Sequence, residues 1–179
     1  MTALTLNIPV IETERLSLRR PQERDFDAFA AFSARPRSHW VGGPSTRDEA
    51  REMFDENDAH WAEHRCGYFH VALSANGEGI GRVGLRKSNA RPETELAYTL
   101  YDDVHEGHGY AREAVTTLRD WAYDALGLST LVSYIDPKNT RSAALARAVG
   151  ARPDADAPVW PKYPQLTVYR HPSQEELRA

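Results

Sequence analysis

The chain has 179 residues, 41% of them hydrophobic and 27% charged, which fits one folded domain spanning residues 1–179 and excludes a disordered chain. A net charge of -4 gives no support to nucleic-acid binding, and one cysteine, Cys66, excludes an internal disulfide framework and reads as apolar filler. No stretch approaches the ~20 apolar residues that span a bilayer, and Met1 to Val10 lacks the features of a secretory signal, so no membrane and a cytoplasmic location are expected.

Thr13 to Arg20 alternates charged and apolar residues as a half-buried strand does. A helix with Phe26, Phe29 and Ala30 on one face follows and ends before Pro36. Thr46 and Glu49 form a capping box for a second helix, whose buried face carries Ala50, Met53, Phe54 and Trp61 before Gly67. Tyr68 to Leu73 and Ile80 to Leu85 read as strands joined by an Asn76-Gly77 hairpin, since both residues tolerate positive φ. Glu95 to Tyr101 is a further strand. Ala111, Ala114, Val115, Leu118, Ala122 and Ala125 then recur at helical spacing up to Gly127. Leu131 to Ile135 reads as a strand, Asn139 to Val149 as a small-residue helix, and Gln165 to Arg170 as a last strand. This order predicts an α/β or α+β mixed sheet rather than a regular βαβ repeat.

The most informative stretch is Glu106-Gly107-His108-Gly109-Tyr110-Ala111, between a strand and a long helix. Glycines let the backbone turn tightly and approach a ligand, and the first helical N–H groups lack intrahelical partners. Strand, turn and helix N-terminus together suit an anion such as pyrophosphate. Arg112 in the first turn opposes the helix dipole unless an anion is near, either Glu113 or a bound phosphate. The loop is neither a dinucleotide fingerprint nor a Walker loop, because no third glycine and no Gly-Lys-Ser/Thr follow.

These residues resemble the GNAT acetyltransferase superfamily, in its ribosomal-protein-acetyltransferase-like branch. The cofactor motif Gln/Arg-x-x-Gly-x-Gly/Ala is matched by Glu106 to Ala111, and Arg112-Glu113-Ala114 continues the likeness. Asn139-Thr140-Arg141-Ser142, Gly150 and the opening run Glu12 to Arg19 extend it from about Glu12 to Arg170. The resemblance implies that acetyl-CoA is the donor, with no metal, and that the strands at Glu95 to Tyr101 and Leu131 to Ile135 splay to admit pantetheine. Backbone near Leu100 and Tyr101 would meet that arm and polarise the thioester. The amides of Gly107, His108, Gly109, Tyr110, Ala111 and Arg112 would hold the pyrophosphate. Asn139 would hydrogen-bond the cofactor arm, and Ser142 would lie near the sulfur. Two departures stand out: Glu106 occupies the usual Gln/Arg position, and Ala146 stands where many relatives carry a tyrosine acid.

The implied chemistry is direct attack of a primary amine, on a small molecule or a protein N-terminus, on the thioester carbonyl. Ser142 is the candidate acid or simply a helix-start residue. Glu95 is the candidate base or a solvated strand-end charge. Tyr98, Tyr101 and His70 are open to lining an acceptor pocket or to core packing. A GNAT fold that binds acyl-CoA without turnover is the alternative, and a homodimer stays open. His60-Trp61-Ala62-Glu63-His64 matches H-x-x-E-H, a remote zinc-hydrolase alternative with no third ligand picked out.

Overall fold

The computed structural model describes residues 7–179, so Met1 to Leu6 of the N-terminal reading lie outside the described residues. The opening strand is two elements, Ile11–Glu12 (β1) and Leu16–Arg19 (β2), paired antiparallel. Thr13 turns the chain between them. Its N–H donates to the Leu16 carbonyl at 2.8 Å, and its hydroxyl accepts from the Leu16 N–H at 2.9 Å. A hydroxyl that competes for backbone groups in this way favours a turn over a continued strand.

Helices Phe26–Ser33 (α1) and Arg47–His64 (α2) follow. The predicted capping box opens α2: Thr46 Oγ1 accepts the Glu49 N–H at 3.3 Å, and the Glu49 carboxylate accepts the Thr46 N–H at 2.7 Å. Strands Tyr68–Leu73 (β3) and Gly79–Arg86 (β4) form the predicted hairpin, but its loop is longer than two residues. Leu73 N–H reaches the Glu78 carbonyl, and only Gly77 takes a left-handed φ of +74°. Asn76 instead accepts the Glu78 N–H through Oδ1 at 3.0 Å, which shapes the turn without positive φ. Glu95–Leu100 (β5), Tyr110–Leu126 (α3), Val132–Ile135 (β6) and Thr140–Ala148 (α4) lie within two residues of their predicted places. Arg152–Pro153 (β7), Thr167–Arg170 (β8) and Gln174–Arg178 (α5) complete the chain. The capping box Ser173/Glu176 that starts α5 escaped the sequence reading.

The strands form one mixed sheet in the order β1-β2-β3-β4-β5-β6-β8-β7. Every neighbouring pair is antiparallel except β5–β6. Val83, Leu85 and Leu96 project from one face onto Val115, Leu118 and Ala122 of α3, the stripe that the helical spacing marked. Each such buried Leu or Val contributes roughly 1.5–3 kcal/mol of transfer free energy, which fixes α3 across the central strands. Phe26, Phe29 and Phe32 of α1 make a second cluster with Phe54 and Tyr101.

Candidate active site

Among the described residues one strand pairing is parallel, and it is also the shortest. β5 meets β6 at a single register pair, Glu95 with Val132. Ser133 Oγ then donates to the Leu96 carbonyl at 2.6 Å, and beyond it β6 diverges from β5 while staying paired with β8 along its whole length. On the other side β5 stays in register with β4, and Tyr101 N–H donates to Ile80 at 2.9 Å. Antiparallel ladders alternate, so Thr99 and Ala97 also use their backbone groups on β4 while Tyr98 and Leu100 turn theirs toward the gap. The Leu100 carbonyl already accepts Arg37 Nε at 3.2 Å. Tyr101 is a correction to the expected site: its N–H is spent on Ile80, and its ring is buried between Phe29 and Phe32.

The gap continues into a cleft of about 1000 Å³ that reaches Gly107, Gly109, Tyr110, Ala111 and Arg112. Gly107 and Gly109 have φ of +76° and +81°, and a Cβ on Gly107 would meet nothing within 4 Å. Only glycine holds such angles without strain, and these two bring the α3 N-terminus onto the cleft. Asn139 caps α4, Thr46 caps α2 and Ser173 caps α5, but Gly109 offers α3 no side chain. The first N–H bonded back is that of Glu113, to Gly109, so those of Tyr110, Ala111 and Arg112 have no partner among the described residues. Arg112 is exposed on the same rim, and Glu113 does not neutralise it. The Glu113 carboxylate takes Thr13 Oγ1 at 2.5 Å and Arg15 Nε at 2.7 Å instead. His108 departs from expectation: its exposed ring stacks on Tyr110, its carbonyl accepts Arg15 Nη1, and it does not line the cleft.

The family model for the Acetyltransferase (GNAT) domain matches residues 15–152. The chain belongs to the GNAT acetyltransferase family. It is 41% identical to an acetyltransferase crystallised from Agrobacterium tumefaciens str. C58, with TM-score 0.86 over 97% of this chain and 99% of that one. An uncharacterized N-acetyltransferase p20 of Bacillus licheniformis is 28% identical over 76% of this chain and 79% of its own. RimL, a ribosomal L7/L12 alpha-N-protein acetyltransferase solved with coenzyme A, shares the fold at TM-score 0.73 and 15% identity, covering 91% and 97%.

Within the GNAT cleft, Asn139 Oδ1 is occupied as the α4 cap, accepting the Ser142 N–H at 3.2 Å, while its amide nitrogen has no partner among the described residues. Ser142 does not bond the backbone through its hydroxyl. It donates to the Tyr98 hydroxyl at 3.1 Å, and Tyr98 in turn donates to the Ser142 carbonyl at 2.9 Å. Burial pushes the Tyr98 phenol up to about 12, so it stays protonated in the working range. Ala146, where many GNAT enzymes carry tyrosine, is fully buried against Ile135 and Tyr169 and does not line the cleft. Tyr98 is the hydroxyl that sequence reading underused. Its place between Leu96 and Leu100 on an alternating strand was the available signal.

Glu106 faces the cleft but is not a bare charge. Both Arg37 and Arg141 bind its carboxylate, and Arg37 also lies 3.5 Å from Asp103. Arg37 had no sequence signal, because it comes from a short 3-10 helix, Pro36–Val41, that no apolar periodicity marks.

Glu95 lies at the closed end of the splay and does not line the cleft. Burial raises its carboxyl above the usual range although Arg91 Nε sits 2.8 Å away. His70 is buried 3.2 Å from Asp25 rather than lining a pocket. His60 places Nδ1 2.6 Å from the Cys66 carbonyl and accepts the Lys87 N–H at 3.2 Å through Nε2, which leaves no lone pair for zinc. Among the described residues no group of three His, Cys, Asp or Glu side chains could hold a metal. Cys66 is buried in the core, and burial pushes its thiol up to about 11, as suits filler rather than a nucleophile.

Proposed function

We propose that the chain transfers the acetyl group of acetyl-CoA to a primary amine, as one catalytic domain working in the cytoplasm. The observation that carries this is the uncapped α3 N-terminus opening into the same cleft as the unpaired edge of β5. The free N–H groups of Tyr110, Ala111 and Arg112, with the Arg112 guanidinium, suit a pyrophosphate. The Leu100 and Tyr98 edge of β5 suits the amide groups of pantetheine, and the Asn139 amide nitrogen lies on the same path. Acetyl-CoA supplies the thioester, and CoA leaves as the thiol. The chain's own residues hold it, shed water and present a β5 N–H where the oxyanion develops. Calorimetric titration with acetyl-CoA tests the binding, and thiol release across a panel of amines tests the transfer. No heat from either CoA or acetyl-CoA with folded protein would sink this reading. Binding without release to any amine would leave a carrier rather than an enzyme.

Ser142 serves as the acid for the leaving thiolate by turning its O–H from Tyr98 to the sulfur, and Tyr98, turning its own O–H from the Ser142 carbonyl to Ser142 Oγ, hands on the replacement proton. The support is the Ser142–Tyr98 pair on the cleft wall and the phenol that stays protonated. Ser142→Ala is expected to lower kcat ten- to a hundredfold, near the low end of general-acid effects, with Kd for acetyl-CoA within twofold. Tyr98→Phe should cost a similar factor, and the double variant no more than the worse single one. Single-turnover transfer beside equilibrium binding measures both; additive losses would mean the two hydroxyls act separately.

Glu106 neutralises two guanidiniums that would otherwise meet phosphate. Glu106→Gln is therefore expected to tighten CoA about threefold at low salt and hardly at all near 1 M salt, where the Debye length is about 3 Å. Weaker binding by this variant would mean that Glu106 acts by holding Arg37 and Arg141 in place.

A further inference from the structure

On β5 the cleft side belongs to Tyr98 and Leu100, and the alternate residues Glu95, Ala97 and Thr99 point to the opposite face of the sheet. The register places Arg86 across from Glu95, Gly84 across from Ala97, and Arg82 across from Thr99. Tyr68 of β3 pairs with Gly84, and its ring lies down on that glycine; a Cβ there would come 2.6 Å from Tyr68 Cδ1. The Arg82 guanidinium stands 4.2 Å from the ring centre and that of Arg86 5.3 Å from it.

Among the described residues neither Arg82 nor Arg86 has an ion-pair partner, and Arg82 Nε is buried without any hydrogen bond. The acids nearby are committed elsewhere. Glu95 binds Arg91, and Asp25 binds Arg19 through both its oxygens. Three guanidiniums, of Arg82, Arg86 and Arg91, thus share this face with the single carboxylate of Glu95. Burial depresses the Arg86 guanidinium below its ordinary value, the mark of a cation short of solvation. At the far edge Arg91 lies 4.4 Å from the Trp160 ring, whose Nε1 is also buried without a partner. Cation–π contact with Tyr68 offsets part of the cost of burying these cations but leaves their N–H groups unused. All the named residues of β4 and β5 other than Gly84 remain partly exposed, so the face is open to a ligand. Thr99, opposite Arg82, points to this face yet also borders the cleft, so the two adjoin at this residue of β5.

We propose that this face receives the acceptor, and that the acceptor amine carries a carboxylate held over Tyr68 by Arg82 and Arg86. The inference rests on the acetyl-transfer reading for the direction of attack, but the anion site itself does not need it. A planar guanidinium fork matches a carboxylate, and desolvated donors without partners reject a neutral isostere.

The test compares L-amino acids with their carboxamides, and short peptides starting with Glu or Asp with those starting with Gln or Asn. The two arms separate a free amino acid from an acidic peptide end. Thiol release from acetyl-CoA is expected to show kcat/KM at least tenfold higher for the carboxylate member of one set. Arg82→Gln and Arg86→Gln should each remove most of that preference through KM, with Kd for CoA within twofold. Arg82→Lys, which keeps the charge but not the fork, should fall between and guards against misfolding of the Gln variant. The same compounds are titrated into the protein while the arginine Nε–H signals are followed by nuclear magnetic resonance. Shifts of Arg82 and Arg86 with acids and not with amides support the proposal even if CoA fails to bind, an outcome that would sink the acetyl-transfer reading alone. Equal use of acids and amides, a preference untouched by the arginine variants, or arginine signals blind to every acid would overturn it.

Discussion

Gly109→Asp is expected to weaken CoA binding at least a hundredfold, about 2.7 kcal/mol, while the protein stays folded. Among the described residues the N–H groups of Tyr110, Ala111 and Arg112 are uncommitted donors at the start of α3, and Gly109 is the residue before them. An aspartate there brings a carboxylate to the position that the phosphates need, where it can satisfy the same N–H groups as a cap does. The fold tolerates the change better than the ligand does. A Cβ at this position meets only Arg15 Nη2 at 3.3 Å, the tip of a flexible side chain, and aspartate is among the residues least penalised at positive φ. Gly109→Ala separates the two causes, since it brings the backbone strain without the charge. It should cost CoA roughly tenfold or less, because strain of about 1–2 kcal/mol is shared between free and bound protein. Calorimetry gives both affinities, and thermal unfolding checks the fold. Equal losses for Ala and Asp would assign the loop's requirement to shape rather than to anion binding. Unchanged affinity in both would move the phosphate site away from α3.

The proposed phosphate half of the site was legible because its residues are consecutive. Glu106 to Arg112 carries its own instructions: glycines for the turn, then a helix whose first donors have no cap. The proposed acceptor half was not, since Tyr68, Arg82, Arg86 and Glu95 meet only through strand register, and register is a tertiary fact. Tyr101 shows the same limit from the other side. One residue along a strand exchanges an edge that faces a gap for one that faces a neighbour, and periodicity alone does not say on which residue the gap opens. Glu106 looked like an anion opposed to phosphate because Arg37 and Arg141, far from it in sequence, could not be seen to hold it.

Acid should unfold this protein sooner than its surface charges suggest, with about 4 kcal/mol of stability lost between pH 7 and pH 5. The cause is two buried histidines. Burial holds both His70 and His171 at about 4, against 6.5 for the ordinary side chain. Ser133 Oγ gives its proton to the Leu96 carbonyl, so the 2.9 Å contact with His171 Nε2 requires that nitrogen to be the donor. His171 Nδ1 is then a buried acceptor with no partner, and protonating it would add a second donor with nowhere to point. His70 lies beside Asp25, yet that carboxylate is already bound twice by Arg19, and desolvation outweighs its attraction. For both groups the folded value is depressed, so between pH 6.5 and 4 the unfolded chain holds protons that the folded one refuses. Stability therefore rises with pH through this window and is lost as pH falls. At about 1.4 kcal/mol per pH unit per group, each histidine accounts for roughly 2 kcal/mol by pH 5. His60, lowered chiefly by burial, adds in the same direction, whereas Asp25 begins to contribute only below the ordinary carboxylate range. Urea unfolding at pH 7, 6 and 5 measures the slope, and His171→Gln should roughly halve it whatever it does to stability at pH 7. A flat profile would mean that both rings accept protons in the folded state. The closed end of the β5–β6 splay, which Ser133 and His171 hold, would then open more easily than this hydrogen bonding allows.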